Sequence, residues 1–268
     1  MPEGAEVKSF GDSLNLHCKD QFISDITILS GRYSKSKLEG LEDLSSHFPI
    51  RVKSVNVRGK FIWFSLDKEF YIYSTLGMTG HWGLKNKKHS RVRISFNDKK
   101  DLFYTDIRNF GTLKIIKGED NLSKKLRTLG PDMLSEDVSD SAFYSRIIKK
   151  KNWSLAKTIM NQGVISGVGN YVKAEALWRA KLSPHRIISS LTKREVSLLN
   201  RSIKEVLSDS YNNGGATIKS YKTFSGSQGQ YSRRFAVYGQ DRDPNGLRVI
   251  REKTKDGRTT HWVPDIQI

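Results

Sequence analysis

The chain has 268 residues, with 46 Lys+Arg against 28 Asp+Glu, a formal net charge of +18 at pH 7 that marks a polyanion binder. No apolar run is long enough to span a bilayer, so nucleic acid rather than a membrane is the expected partner, and MPEGAEVKSFGD lacks the apolar core of a signal peptide, which points to an intracellular protein. Cys18 is the only cysteine and the six histidines (His17, His47, His81, His89, His185, His261) are scattered, which excludes internal disulfides and cysteine-based zinc fingers and leaves no metal or cofactor expected.

The N-terminal stretch Met1-Pro2-Glu3-Gly4-Ala5-Glu6 combines an amine and two carboxylates. Removal of Met1 exposes the Pro2 secondary amine, and an α-amine titrates near about 8 against about 10.4 for lysine, so part of it is nucleophilic at neutral pH. On a helix starting at Pro2, Glu3 and Glu6 share a face and could line one pocket. Proline followed by acidic residues is equally an ordinary helix start.

Ala5, Val7, Phe10 and Leu14 predict an amphipathic helix to about His17. Segments 22–29, 51–57, 61–66, 70–74, 91–96 and 112–116 are short, rich in β-branched and aromatic residues and separated by turn dipeptides, which predicts a β-sandwich or barrel. Leu129-Gly130-Pro131-Asp132 marks a hinge. Helices follow over 141–150, 154–162 capped by Ser154, 168–180, and 192–212, where Thr192 and Glu195 form a capping box. Segments 233–238, 247–251 and 259–263 read as strands of a hairpin with one further strand.

Several loop residues invite function. The glycines of Gly163–Asn170 let backbone approach a partner, and amides at the next helix start could face a phosphate, with Asn170 adding a donor. Arg258 in a turn and Lys60 between two strands are phosphate contacts or solvated charges. Met78, Arg108 and Phe110 could wedge into a duplex or belong to the core.

The order of these motifs resembles the Fpg/Nei family of bifunctional DNA glycosylases over nearly the full length: PEGAE at the N-terminus, RGK at 58–60, LGMTG at 76–80, DIRNFG at 106–111, LGPD at 129–132, GVGN at 167–170, VYGQ at 237–240 and the terminal arginine hairpin. The resemblance implies an α+β fold: an N-terminal helix on an antiparallel β-sandwich (1–130), a hinge (131–141), a helical domain with helix-two-turns-helix (142–228) and a zincless β-hairpin finger (229–268). It implies that Pro2 attacks C1′ of a damaged nucleotide to form a Schiff base, with β,δ-elimination, that Glu3 is the general acid/base on the deoxyribose, and that Glu6 orders the site. Lys60, Asn170 and Arg258 would grip phosphates, Met78, Arg108 and Phe110 would fill the gap left by a flipped base, and Tyr238 would add a backbone contact. The implied partner is damaged double-stranded DNA, clamped by a monomer between its two domains.

Two departures accompany the resemblance, and one residue bears on the substrate class. Most members end in a four-cysteine zinc finger, so this chain is similar to the zincless Nei-like enzymes of eukaryotes and viruses, with packing of Phe235, Val237, Val249 and Trp262 replacing the metal. Thr75 stands where bacterial members carry histidine, and Gly4 resembles the Nei branch, which prefers oxidised pyrimidines and hydantoins. A base-capping loop is expected over 219–231. The competing reading is a catalytically idle DNA-damage or architectural binding protein of the same fold.

Overall fold

The computed structural model describes residues 2–216 and 229–268, which fall into two compact units. One is built from Glu6–Thr128 together with Pro2, the other from Glu3–Ala5, Leu129–Ala216 and Gln230–Ile268.

The first unit runs α1 (Gly4–Cys18, whose first two residues count with the second unit), β1 (Phe22–Ile28), α2 (Leu41–Ser45), β2 (Ile50–Arg58), β3 (Phe61–Leu66), β4 (Phe70–Thr75), β5 (His81–Gly83), β6 (Ser90–Phe96), β7 (Leu102–Thr105), β8 (Thr112–Lys117) and α3 (Glu119–Arg127). The strands order β5-β7-β6-β1-β2-β3-β4-β8, every neighbour antiparallel. β1 and β2 share only the pairs Phe22–Arg51 and Ile23–Ile50. At that short seam the sheet folds over itself. Phe64 on β3 meets Trp82 on β5 with ring centroids 5.5 Å apart, and Trp82 Nε1 donates to Ser74 Oγ on β4 at 3.1 Å. Two four-stranded layers thus enclose one core, the sandwich that the alternating segments predict.

Helix α1 closes that core with Val7, Phe10, Leu14 and Cys18, spaced three or four residues apart on one face. It lies so close to the sheet that a Cβ on Gly11 would sit 2.1 Å from Val57 Cγ2. β5, β7, α2 and α3 escape the sequence patterns for separate reasons. β5 has three residues, all four residues of β7 are buried so no alternation shows, and α2 has only five. α3 carries Leu122 as its single buried residue, so it has no apolar period.

The second unit holds α4 (Asp140–Ile147), α5 (Leu155–Ile159), α6 (Asn170–Arg179), α7 (Lys193–Asn212), β9 (Ile250–Lys253) and β10 (Thr259–Trp262). Ser139 and Ser154 cap α4 and α5 with their hydroxyls, and Thr192 and Glu195 form the predicted capping box of α7. Every residue of α6 from Tyr171 to Leu177 is buried, Lys173 and Glu175 included. A helix buried all round is the axis of its unit.

The strand expected over 233–238 is absent. Tyr231–Arg234 is a 3-10 turn, and the amides of Ala236, Val237 and Tyr238 donate to the Glu175 carboxylate at 2.9, 3.0 and 2.8 Å. Those amides are spent on a side chain instead of a ladder, so β-propensity has nothing to pair with. β9 and β10 form the terminal hairpin, with Lys253 opposite Thr259 and Ile250 opposite Trp262. Of the expected base-capping loop, residues 219–228 lie outside the described residues. Gln230 is bridged to Ala216, and Tyr231 is buried.

Candidate active site and nucleic-acid interface

Pro2 is buried and precedes α1, which starts at Gly4, so the helix begins later than a Pro2 start. Glu3 therefore does not share a helical face with Glu6. Glu6 lies in the first turn of α1, 1% exposed, where a carboxylate suits the positive end of the helix.

The Glu3 carboxylate, 3% exposed, reaches the start of α6 instead. Its Oε1 accepts the Tyr171 amide at 2.9 Å and its Oε2 the Val172 amide at 3.2 Å. A helix start leaves such amides without intrahelical partners, and an anion there is stabilised by the helix dipole. The expectation that these amides face a phosphate is corrected: Glu3 already occupies them. Gly169 carries no side chain because a Cβ there would lie 2.1 Å from Glu3 Cδ. Gly4 donates its amide to Gly167 O at 2.8 Å, and a Cβ on Gly4 would lie 2.8 Å from Gly167 Cα. Glu3 and Gly4 thus interlock with Gly169 and Gly167, residues far apart in sequence.

Asn170 opens α6 and donates through Nδ2 to Thr259 O of β10 at 2.9 Å, while its Oδ1 is buried without a partner of good geometry. Arg258 is exposed at the end of the β9–β10 turn, where Gly257 takes φ 78°. Its amide donates to Asp256 Oδ1 at 3.3 Å, and Asp256 Oδ2 accepts Lys173 Nζ at 2.6 Å. Tyr238 packs its ring 4.9 Å from His261, and burial pushes its phenol up, with the Asn170 side chain pulling the other way. Its amide is held by Glu175, whose carboxyl burial also pushes up in spite of three amide donors.

In the first unit, Gly59 at φ 59° and Lys60 form the two-residue turn between Arg58 and Phe61, which places Lys60 at a hairpin tip. Met78, Arg108 and Phe110 come together. Arg108 Nη1 lies 3.2 Å from Met78 Sδ and its guanidinium stacks 4.4 Å over the Phe110 ring. Met78 is 38% and Phe110 53% exposed, so neither belongs to the core. The buried Asp106 builds the loop beneath them, accepting from Thr79 Oγ1 and from the amides of Arg108 at 3.2 Å and Gly111 at 2.8 Å. Thr75, the position where a histidine is usual, engages Thr112: their hydroxyls are 2.7 Å apart.

Comparison with known proteins settles the family. The formamidopyrimidine-DNA glycosylase N-terminal domain matches residues 1–113, its H2TH domain 129–222 and its C-terminal domain 231–268. Formamidopyrimidine-DNA glycosylase of Oceanobacillus iheyensis is 32% identical over 276 residues, covering 100% of this chain and 98% of the relative. The chain belongs to the formamidopyrimidine-DNA glycosylase family. The glycosylase of Bacillus licheniformis is 33% identical, with 98% of each chain covered. Among solved structures, MutM (Fpg) of Thermus thermophilus superposes with a TM-score of 0.88 at 30% identity, covering 99% of this chain and 98% of that one. A Lactococcus lactis Fpg mutant in complex with Fapy-dG containing DNA also gives 0.88, at 27% identity and 99% coverage of each chain.

Within this family frame, sequence reasoning missed Lys173, Glu175 and Asp106. The first two had a visible sign: two charges inside the otherwise largely apolar run Tyr171–Leu177, which only buried partners make tolerable. Asp106 opens the DIRNFG motif, but nothing local marks its carboxylate as the acceptor for Thr79 and for the Arg108 and Gly111 amides. The link between Glu3 and Gly169 had no sign at all, since nothing local connects positions so distant in the chain.

Proposed function

We propose that the chain is a bifunctional DNA glycosylase and AP lyase of base excision repair that acts through a Schiff base on Pro2. The observation that carries the reading is the Glu3 carboxylate, one residue from Pro2, pinned by the Tyr171 and Val172 amides at the start of the helix that Asn170 opens. Once Met1 is removed, the Pro2 nitrogen bonds to C1′ as the glycosidic bond breaks and the base leaves with a proton. Glu3, as general acid/base, assists opening of the deoxyribose to the iminium. Proton loss from the sugar then expels the 3′ and 5′ phosphates in turn, the β,δ-elimination, and water releases Pro2. Glu6 orders the site. Lys60, Asn170 and Arg258 grip phosphates, Tyr238 adds a backbone contact, and the Met78–Arg108–Phe110 group fills the space of the extruded base.

The division into a helix-plus-sandwich domain (1–130), hinge (131–141), helix-two-turns-helix domain (142–228) and zincless finger (229–268) belongs to the same proposal. Support for a finger without metal is the packing of Val237, Val249, Val263 and Ala174, with Phe235 ringed by Tyr171, Tyr231 and Tyr238. Trp262 adds an indole donor to Glu252 at 2.6 Å.

The substrates proposed are oxidised bases in duplex DNA, pyrimidines and hydantoins favoured, with the protein acting as a monomer. The Gly4 clue for that preference now has a packing explanation in Gly167. Ring-opened or oxidised purines are the second reading, motivated by solved relatives bound to Fapy-dG and carbocyclic 8-oxo-G containing DNA. Borohydride trapping on duplexes carrying an abasic site, thymine glycol, a hydantoin, Fapy-dG or 8-oxoguanine tests both. A covalent band is expected with the wild type and none with an N-terminal extension that converts the Pro2 amine to an amide. An undiminished band from the extended protein sinks the imine mechanism, and the lesion ranking decides between pyrimidine and purine classes.

A further inference from the structure

The second unit contains a buried cation that the proposed chemistry leaves unused. Lys173 lies on α6 with its side chain 0% exposed, and its Nζ donates to Asp256, whose side chain is 4% exposed, at 2.6 Å. Burying an ammonium and a carboxylate carries a desolvation cost that their attraction must first offset, and an apolar pair of similar volume would generally do as well for stability. An ion pair kept in such a place points to a requirement for register rather than for cohesion.

The surroundings show what is registered. Asp256 lies in the turn that presents Arg258. Its Oδ1 accepts the Arg258 amide and the Thr254 hydroxyl, the Thr254 amide donates to Arg258 O at 3.0 Å, and the Thr254 hydroxyl also meets that of Thr260 at 2.6 Å. The Arg258 backbone is thus held from both sides by groups that converge on Asp256. On α6, Lys173 follows directly on Tyr171 and Val172, whose amides hold Glu3, and Asn170 one turn earlier donates to Thr259 O. Glu3 and Arg258 both lie close enough to Lys173 for their charges to act on it. Burial pushes the Lys173 ammonium down, with Asp256 and Glu3 opposing, and Asp256 stays below the ordinary carboxylate range because the Lys173 and Thr254 hydrogen bonds outweigh its burial.

We propose that Lys173 and Asp256 are positioning residues that fix the Arg258 turn against α6, so that the phosphate-binding guanidinium and the Glu3 carboxylate are referenced to the same two turns of one helix. The pair touches neither DNA nor the reacting atoms. It acts through Arg258. The proposal rests on the glycosylase reading, which supplies the phosphate for Arg258.

The test is a double-mutant cycle in the full chain, read as the Kd for a duplex containing a tetrahydrofuran abasic analogue, which cannot be cleaved through an imine. Arg258→Ala and Asp256→Asn are each expected to weaken binding about tenfold, the scale of one lost charge-assisted contact. The double variant is expected to stay within about twofold of Arg258→Ala, because the second change has nothing left to position. Lys173→Arg, which keeps the cation, is expected to retain affinity within about threefold, whereas Lys173→Met follows Asp256→Asn. If Asp256→Asn does not fold, Asp256→Glu, which shifts the carboxylate by one methylene, takes its place in the cycle with the same non-additivity expected.

Hydrogen exchange across Lys253–Trp262 provides a readout independent of DNA: it should accelerate at least about tenfold in Asp256→Asn while exchange in Lys193–Asn212 is unchanged. Full additivity with Arg258→Ala, affinity within about twofold of wild type in Asp256→Asn, or unchanged exchange in the hairpin overturns the proposal. Wild-type protein that neither prefers the lesion duplex nor traps with borohydride overturns the glycosylase reading instead. The exchange measurement still judges the pair in that event.

Discussion

The proposed mechanism gives Glu3 a second duty beside the one the structure shows, and a substitution can separate them. As a cap for α6 it accepts two amides; as the proposed general acid/base it would also exchange a proton. Glu3→Gln keeps one carbonyl acceptor but cannot exchange protons in the same way. We expect it to fold with a melting temperature a few degrees below wild type and to lose at least about a hundredfold in single-turnover base excision. Glu3→Ala should lose more stability for a similar loss of rate, since both amides are then left buried without a partner. Retention of excision in Glu3→Gln within threefold would place the proton transfer elsewhere. A second test at this scale concerns Cys18, 0% exposed, whose thiol is pushed up to about 12 by burial. Only a thiolate reacts with a disulfide reagent, so native protein at pH 8 should take up none on the timescale on which urea-unfolded protein is labelled fully. Rapid labelling of the native state would mean that α1 lifts from the sheet.

Helix α7 shows how much an element owes to its ends. Thr192 Oγ1 accepts the Glu195 amide at 3.3 Å, and Glu195 Oε2 accepts the Thr192 amide at 2.7 Å while Arg186 adds an ion pair at 3.1 Å. Thr192→Ala should cost about 1 kcal/mol, measurable as a lowered denaturant midpoint at unchanged slope. Burial raises the Glu195 carboxyl, but the Thr192 and Arg186 contacts outweigh it and hold its folded pKa below the ordinary value. A depressed folded pKa means stabilisation present in full above the unfolded value, about 4.3, and lost as pH falls through the folded one. The melting-temperature gap between wild type and Glu195→Ala should therefore be constant from pH 7 to 5 and close below pH 4. A gap that persists at pH 3 would assign the contribution to packing.

This helix was legible in the sequence because its cap and its apolar face are local properties. So were α1 and the longer strands of the sandwich. The 233–238 segment was not: its β-branched and aromatic residues fit a strand, but the acceptor that claims its amides is Glu175, some sixty residues earlier. The site divides in the same way. Arg108 and Phe110 lie in one short loop and could be paired by inspection, whereas the capping of α6 by Glu3 is a tertiary fact that no window of sequence contains.

At the scale of the molecule, charge and the absence of a metal set lead to separate expectations. Among the described residues no group of three or more His, Cys, Asp or Glu is placed to hold a metal ion; Glu175 holds the amides of Ala236–Tyr238, Lys173 holds Asp256 of the hairpin turn, and Val237, Val249 and Val263 pack with Ala174. Prolonged treatment with a strong chelator should leave melting temperature and lesion binding unchanged. Loss of either would reveal a metal dependence that these residues do not explain.

The net charge of +18 makes salt the sharpest probe of the interface, because each phosphate neutralised by a cation releases counterions and steepens the fall of log K with log salt. Lys60 and Arg258 are cationic, and Asn170 is not. Replacing Lys60 or Arg258 by alanine should weaken duplex binding and reduce the slope by about 1 in each case. Asn170→Ala should weaken binding by a similar factor at a fixed salt while leaving the slope untouched, since an amide donor displaces no counterion. Met78→Ala and Phe110→Ala should also leave the slope alone, and their losses should be larger on DNA with an extruded base than on undamaged duplex. The five slopes together distinguish a phosphate grip from a diffuse basic surface. If Lys60→Ala and Arg258→Ala change the slope no more than an alanine substitution at the exposed Lys149 or Lys151, then the charge is acting as a field spread over the surface, and these two residues hold no phosphate of their own.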